Sequence, residues 1–136
     1  MDITVYENIL DGMKEYNNAL SQNYGNTVVA TAPNSPTYPL TVFDEIINVA
    51  NRNYNGDFDR VSNLGYRADI FAKTKGNVTK QTIARKIAQE IDNYLSNYVG
   101  LRRVSYNVSE LENDGSIYHI IITYEGTLHE NRRNFI

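Results

Sequence analysis

The side chains that could carry acid–base or metal chemistry are few, and they stand far apart in the chain. Asp44 and Glu45 are neighbouring carboxylates, but neighbours on a strand point to opposite faces and cannot share a proton or a metal ion. Asp57 and Asp59 could share a face, yet aspartates in a polar segment most often form turns. His119 stands between apolar residues, where a lone histidine is typically structural. These spacings predict neither a catalytic site nor a metal site.

Sequence motifs for phosphate, nucleophile or zinc sites do not occur either. The chain contains no glycine-rich phosphate loop, no GxSxG nucleophile elbow and no HExxH zinc motif. It has no cysteine, which excludes disulfides, thiol catalysis and cysteine-bound zinc. We therefore expect a protein that is not an enzyme and that uses no cofactor and no metal.

The composition is that of an ordinary globular domain. The chain has 136 residues, of which 41% are hydrophobic and 21% charged, so a single core can form. The formal net charge of −3 gives no general attraction to nucleic acid. No apolar run is long enough to span a bilayer, and the first residues lack the basic start of a signal peptide. The sequence predicts a cytoplasmic protein with no membrane partner.

The first 39 residues predict one helix followed by a loop. Residues 2–21 place apolar side chains at three- and four-residue steps, which is typical of an amphipathic helix. Gly12 is a weak point in that helix, because glycine costs about 1 kcal/mol relative to alanine in a helix interior. Residues 27–39 predict a short extended piece and then a loop, since three prolines exclude both a helix and a central strand.

Two strands are predicted next. Residues 40–49 carry apolar side chains on both parities, with Phe43, Ile47 and Val49 on one of them, which favours a strand covered on both faces. Residues 61–73 alternate between apolar and polar side chains, which predicts a strand with one buried and one wet face.

The second half of the chain predicts a long helix and a hairpin. Residues 79–99 form the helix, with Thr79 as its N-cap and Gly100 as its stop. The apolar stripe of this helix consists of Ile83, Ile87, Ile91, Tyr94 and Tyr98. Residues 102–109 and 116–126 then form two strands around the Asn-Asp-Gly turn at 113–115.

This order of elements predicts an α+β fold. The sheet is mostly antiparallel and is flanked by an N-terminal helix and a long central helix. We expect residues 1–128 to form a single domain. Residues 129–136 are predicted to be a C-terminal tail that a neighbouring subunit orders, because short polar tails rarely stay ordered alone.

Basic residues cluster on the predicted central helix and just after it. Lys80, Arg85 and Lys86 form a basic side of the helix, and Arg102 and Arg103 follow it. Because the net charge is negative, this pattern favours an assembly surface. A small nucleic-acid-binding module is the alternative interpretation.

Five blocks of sequence occur in an order that is known from a family of virion proteins. They are PLTVFDEIIN (39–48), NLGYRADIFAK (63–73), IDNYL (91–95), GLRRVSYN (100–107) and DGSIYHIIITYEG (114–126). On these blocks and on the order of its elements, the chain resembles the tail-terminator or tail-completion proteins of tailed bacteriophages, which join tail to head. The likeness covers about residues 39–126.

The resemblance implies a structural role in a virion and no catalytic residues. It implies a ring, typically a hexamer, that caps the tail tube at the junction with the neck. The implied partners are other copies of the chain, the tail-tube protein and neck or connector proteins, with DNA passing through the lumen without sequence-specific binding. Another neck protein, such as a head–tail adaptor or a stopper, is an alternative.

In such a ring, subunits must cover exposed strand edges and the tail. The candidate subunit or partner interface therefore includes the extended piece around Val28 and Val29, the start of the hairpin and the tail. Its residues are Val28, Val29, Arg102, Arg103, His129, Arg132, Arg133, Phe135 and Ile136.

Removing residues 132–136 tests the predicted role of the tail. If Phe135 and Ile136 pack on an adjacent subunit, the truncated protein keeps its circular dichroism spectrum and unfolding midpoint but assembles poorly. Electron microscopy of assembled particles provides the measurement. Normal assembly of the truncated chain would remove the tail from the interface.

Overall fold

The computed structural model of the protein describes residues 5–51, 61–110, 115–129 and 134–135. Its elements, in chain order, are α1 (Val5–Ala19), β1 (Thr27–Val29), β2 (Leu40–Asn51), β3 (Val61–Ala72), α2 (Lys80–Asn93), a π-helical extension of α2 (Tyr94–Val99), β4 (Arg102–Glu110), β5 (Tyr118–His129) and β6 (Asn134–Phe135).

The strands form one sheet in the order β1-β2-β3-β5-β4. β1 pairs with β2 in parallel, and the pairs β2–β3, β3–β5 and β4–β5 are antiparallel. β6 pairs with the end of β5, beyond the point where β4 begins. The predicted α+β fold with a mostly antiparallel sheet and two flanking helices is confirmed.

The core lies on one face of the sheet, beneath both helices. The alternate residues of β3 that point to this helical face are buried, namely Leu64, Tyr66, Ala68, Ile70 and Ala72. They form one cluster with the apolar residues of α1 and α2. The intervening side chains of β3, such as Arg67, point to the opposite, open face. The prediction of one buried and one wet face for β3 is therefore confirmed.

A β-bulge in β2 overturns the prediction that this strand is covered on both faces. The register with β3 shifts between Glu45 and Ile47, so Phe43 points to the helical face while Ile47 and Val49 point to the open face. The assignment of these three residues to one face was wrong, because one extra residue reverses the alternation. Ile46, Ile47 and Val49 are about half exposed.

The long helix begins as predicted, but its last turn changes geometry. The Thr79 hydroxyl accepts a hydrogen bond from the Thr82 amide, and Gly100 closes the helix at φ 90°. From Tyr94 onward the helix is π-type, and this wider turn rotates the face that follows. Leu95 is fully buried, whereas Tyr98 is 71% exposed. The sequence had predicted Tyr98 to be part of the buried stripe, and this prediction is wrong.

Buried polar side chains attach the end of α1 to the sheet. The Asn17 amide donates to the backbone carbonyl of Asn26 over 2.8 Å, and the Asn26 amide donates back to the Asn17 side chain over 2.9 Å. The Thr41 hydroxyl on β2 donates to the Asn26 side-chain oxygen over 3.1 Å. All three residues are buried, so this network holds α1, the turn before β1, and β2 in one arrangement.

The hairpin prediction is confirmed for the strands, and the predicted tail continues the sheet. β4 pairs along its length with residues 118–125 of β5, while residues 113 and 114 of the predicted turn lie outside the described residues. β5 continues to His129, and the β6 backbone pairs with it. The described backbone thus crosses the predicted boundary at residue 128. That a neighbouring subunit orders the tail remains a prediction.

Gly12 allows the two helices to approach each other. A Cβ atom at this position would overlap the hydroxyl of Tyr94, whose ring contacts Tyr16 and Tyr98. The conformational weakness that the sequence predicts at Gly12 is thus offset by a close contact between α1 and the π-helical segment.

We expect Gly12→Ala to destabilise the fold by about 1 kcal/mol, because steric overlap of about 1–3 kcal/mol exceeds the helix-propensity gain of about 1 kcal/mol. Urea unfolding measures the change. The loss should shrink when Tyr94→Phe removes the hydroxyl, and Asn8→Ala, at an exposed position of the same helix, serves as the propensity control. A stabilised Gly12→Ala variant would contradict the close contact.

Candidate functional site

The described residues do not assemble a metal site. No three histidine or carboxylate side chains come together in the described part of the chain in a way that could hold an ion. No helix among the described residues is both long enough and apolar enough to cross a bilayer. The expectation that the protein is not an enzyme remains a prediction.

The histidine that the sequence singled out belongs to a polar cluster on the open face. His119 Nε2 donates to Asp69 Oδ1 over 2.8 Å, and the His119 ring stacks on Phe71 with 4.1 Å between centroids. Arg67 also donates to Asp69, from two nitrogens at 2.9 Å. His119 is only 6% exposed, and its Nδ1 has no hydrogen-bond partner among the described residues. This arrangement holds the imidazole in place and gives no substrate access to it.

The cluster lowers the pKa of the Asp69 carboxyl. Burial alone raises this pKa, but the hydrogen bonds from His119 and Arg67 outweigh it and hold the pKa below its usual value. Sequence analysis missed this contact because Asp69 and His119 are far apart in the chain. They meet because β3 pairs with β5 in a register that places Phe71 opposite His119.

A second polar cluster lies where α2 meets β4 and β5. The Tyr124 hydroxyl donates to Asp92 over 2.9 Å, and Arg103 approaches the same carboxylate at 3.3 Å. Burial, aided by the Asp92 charge, raises the pKa of Tyr124 far above its usual value, so this hydroxyl stays protonated. Asp92 therefore links the helix to two strands.

The first candidate surface is the free edge of β4, which we call the β4 edge (residues 102–110). β4 is the terminal strand of the sheet, and among the described residues it pairs only with β5. Val104, Tyr106 and Val108 are between 44% and 55% exposed on this strand. A groove of about 360 Å³ between Tyr106 and α2 borders the same strand on the helical face. Exposed apolar side chains beside unpaired backbone groups are typical of an interaction surface.

The second candidate surface is the part of β2 beyond its pairing with β1, which we call the β2 edge (residues 43–51). β1 pairs only with the first three residues of β2, so the described residues leave the β2 edge unpaired on its outer side. Ile46, Ile47 and Val49 are exposed here, and a depression of about 350 Å³ lies beside Ile47 on the open face. The bulge produces this exposure, since it turns Ile47 and Val49 away from the core.

The predicted interface residues fall in different environments. Val28 is only 5% exposed and lies in the chain's own core, so its side chain is not available to a partner, whereas Val29 is half-buried. Arg102 forms an ion pair with Glu125, and Arg103 lies beside Asp92. The backbones of His129 and Phe135 lie in β5 and β6. The side chains of these two residues, and the whole of Arg132, Arg133 and Ile136, lie outside the described residues.

The basic side of α2 is interrupted by internal partners. Lys80 donates to the Gly115 carbonyl, and Arg102 and Arg103 have carboxylate partners. Arg85 and Lys86 are exposed on the helix. The residues proposed for nucleic-acid binding therefore do not form one continuous row of unpaired cations, which weakens that alternative.

The residues that the sequence analysis missed are the exposed apolar side chains of the two edges. Ile46, Ile47 and Val49 belong to the β2 edge, and Val104, Tyr106 and Val108 belong to the β4 edge. The apolar residues on both parities of residues 40–49 were the available signal. It favours two-sided cover, whereas the structure leaves these side chains exposed, because the pattern does not reveal the bulge.

Replacing Asp69 with asparagine should lower the free energy of unfolding at pH 7 by about 1 kcal/mol, because charge-assisted hydrogen bonds become neutral ones. The folded-state pKa lies below the unfolded one, so this stabilisation is present above the unfolded pKa and is lost as the pH falls through the folded pKa. The difference from wild type should narrow below about pH 4 in urea titrations. Asp11→Asn, the same substitution at an exposed position in the interior of α1, is the matched control.

The comparisons with known proteins give a likeness of fold. No family model matches the chain, and no curated relative matches it. Among solved structures, a chain in the virion of a native gene transfer agent particle is similar, with a TM-score of 0.62 and 11% sequence identity. The likeness covers 92% of this chain and 98% of that chain. The protein therefore has the fold of that virion chain over nearly its whole length.

Proposed function

We propose that this chain is a structural protein of a virion, and specifically a tail terminator. In this role several copies close into a ring that caps the tail tube and joins it to the neck. The fold shared with a gene transfer agent virion chain supports the virion role, because the match extends over nearly the whole of both chains. The tail-terminator role is supported by the sequence blocks between residues 39 and 126.

The observation that carries this proposal is the pair of exposed apolar edges. The β2 edge and the β4 edge lie on opposite sides of the same sheet, and they differ in sequence and in environment. A molecule with two different binding surfaces associates head to tail, and such contacts close into a ring when the rotation between neighbouring subunits allows it. A soluble protein normally protects such edges. A ring protects both of them without further polypeptide.

The polar clusters suit a structural role. His119, Asp69 and Arg67 hold each other on the open face, and Asp92, Tyr124 and Arg103 hold α2 to the sheet. Each titratable group in these clusters has a partner that holds it in place. These contacts stiffen the sheet that each subunit presents to the next one in the ring. We propose no catalytic role for them.

The protein is expected at the junction of tail and neck, and deletion of its gene tests this. Particles made without it should show separated heads and tails, and tails of irregular length, because nothing caps the growing tube. Negative-stain electron microscopy and antibody labelling of complemented particles provide the measurement. Label on the head side of the neck, with tails of normal length, would instead indicate an adaptor or a stopper.

A matched pair of variants connects this role to the edges. Val104→Asp places a charge on the β4 edge and should reduce joined particles by about tenfold or more, the effect of losing about 1.4 kcal/mol at a contact. Asn18→Asp adds the same charge at an exposed position of α1 and should complement normally. Both variants change exposed residues, so circular dichroism should show both folded. Normal complementation by Val104→Asp would contradict a role for the β4 edge.

A further inference from the structure

We propose that copies of this chain join by antiparallel pairing of the β4 edge of one subunit with the β2 edge of the next, so that the sheet continues from subunit to subunit. This inference rests on the proposed ring and specifies its contact. The occupant of each edge is therefore a second copy of this chain. The directions, lengths, faces and charges of the two edges all support it.

The strand directions make the contact antiparallel without turning a subunit over. β2 is antiparallel to β3, β3 to β5, and β5 to β4, so β4 and β2 run in opposite directions within one molecule. A second copy in the same orientation therefore presents its β2 edge antiparallel to the β4 edge of the first. The same step can be repeated around a ring, since each subunit keeps one edge of each kind.

The lengths of the edges determine the register. β4 has nine residues, and β2 has 12, of which the first three are already paired with β1. The neighbour's β1 blocks pairing before residue 43, so Glu110 lies opposite Phe43 and Arg102 opposite Asn51 when the overlap is complete. Both edges then span about 30 Å of strand at roughly 3.3 Å per residue.

The two bulges keep the faces consistent in this register. β2 has an extra residue between Glu45 and Ile47, and β4 has one between Arg103 and Ser105. With both bulges counted, Ile47 lies opposite Asn107 and Val49 lies opposite Ser105. All four of these side chains point to the open face, as directly opposed residues of one sheet must. A register that ignored the bulges would place core-facing residues opposite outward-facing ones.

On the helical face, the contact covers exposed apolar side chains and brings opposite charges together. Tyr106 and Val108 of the β4 edge meet Asn48 and Glu45 of the neighbouring β2 edge. Arg85, in the groove beside Tyr106, is exposed, and Glu45 is half-buried. Neither side chain has an ion-pair partner among the described residues. Arg85 of one subunit and Glu45 of the next therefore carry complementary charges, while Asp92, which lines the same groove, is paired with Arg103.

Disulfide trapping tests the contact directly, because the natural chain contains no cysteine. Val49→Cys combined with Ser105→Cys places two thiols opposite each other on the open face. Particles assembled with this double variant and treated with an oxidant should give a ladder of crosslinked subunits on a non-reducing gel.

The matched control moves one thiol along the same strand. Ser109, like Ser105, is a half-buried serine on the open face of β4, but it lies four residues, or about 13 Å, farther along. Val49→Cys with Ser109→Cys should give no ladder. The reverse pattern would mean a different register or parallel pairing. Dimers from Ser105→Cys alone would mean that two β4 edges pair with each other. Either result overturns the inference.

A charge exchange provides an independent measurement. Glu45→Lys and Arg85→Glu should each reduce assembly several-fold, and the double variant should recover most of it, because the pair is restored with its signs reversed. Two losses that simply add, with no recovery, would count against this register.

These experiments separate failure of the contact from failure of the proposed function. If the double-cysteine protein is incorporated at the tail–neck junction but gives no ladder, the function stands and the contact is wrong. If the wild-type protein is absent from particles, the proposed function is wrong. The purified double variant, oxidised at high concentration, then still tests the contact through the same ladder and the same Ser109 control.

Discussion

The structure depends on one constraint, which is that two helices cannot cover the whole of this sheet. A helix is about 10 Å wide and strands lie about 4.8 Å apart, so two adjacent helices cover about four strands. α1 lies over β1 and β2, and α2 lies over β3 and β5. Only the start of β4 contacts the long helix, through Arg103 and Asp92, and beyond it Tyr106 and Val108 are exposed on the helical face. The exposed apolar surface of the β4 edge follows from this incomplete cover.

Polar side chains inside the fold serve mainly to hold elements together. The network of Asn17, Asn26 and Thr41 connects α1 to β2, and Asp92 connects α2 to Tyr124 of β5. Each buried polar group would cost free energy without its partner, so these contacts favour one arrangement over the alternatives. A rigid sheet of this kind suits a subunit whose edges must meet a neighbour in one register.

Several parts of the fold could be predicted because their signals are local. The alternation of residues 61–73, the N-cap at Thr79 and the stop at Gly100 each depend on a few neighbouring residues, and the structure confirms them. The bulge in β2 and the π-type turn at Tyr94 could not be predicted in this way. Each inserts one residue into a regular pattern, and the packing of the partner elements decides where that residue goes.

The sequence by itself determined the kinds of element, their order, the one-sided burial of β3 and the lack of recognisable catalytic motifs. These properties follow from side-chain periodicity and residue type, which are local. Only the tertiary structure decided that Ile47 and Val49 leave the core, that His119 meets Asp69, and that two unlike strand edges remain open on opposite sides. These depend on register and on which strands the helices reach, because residues distant in the chain become neighbours only when the sheet forms.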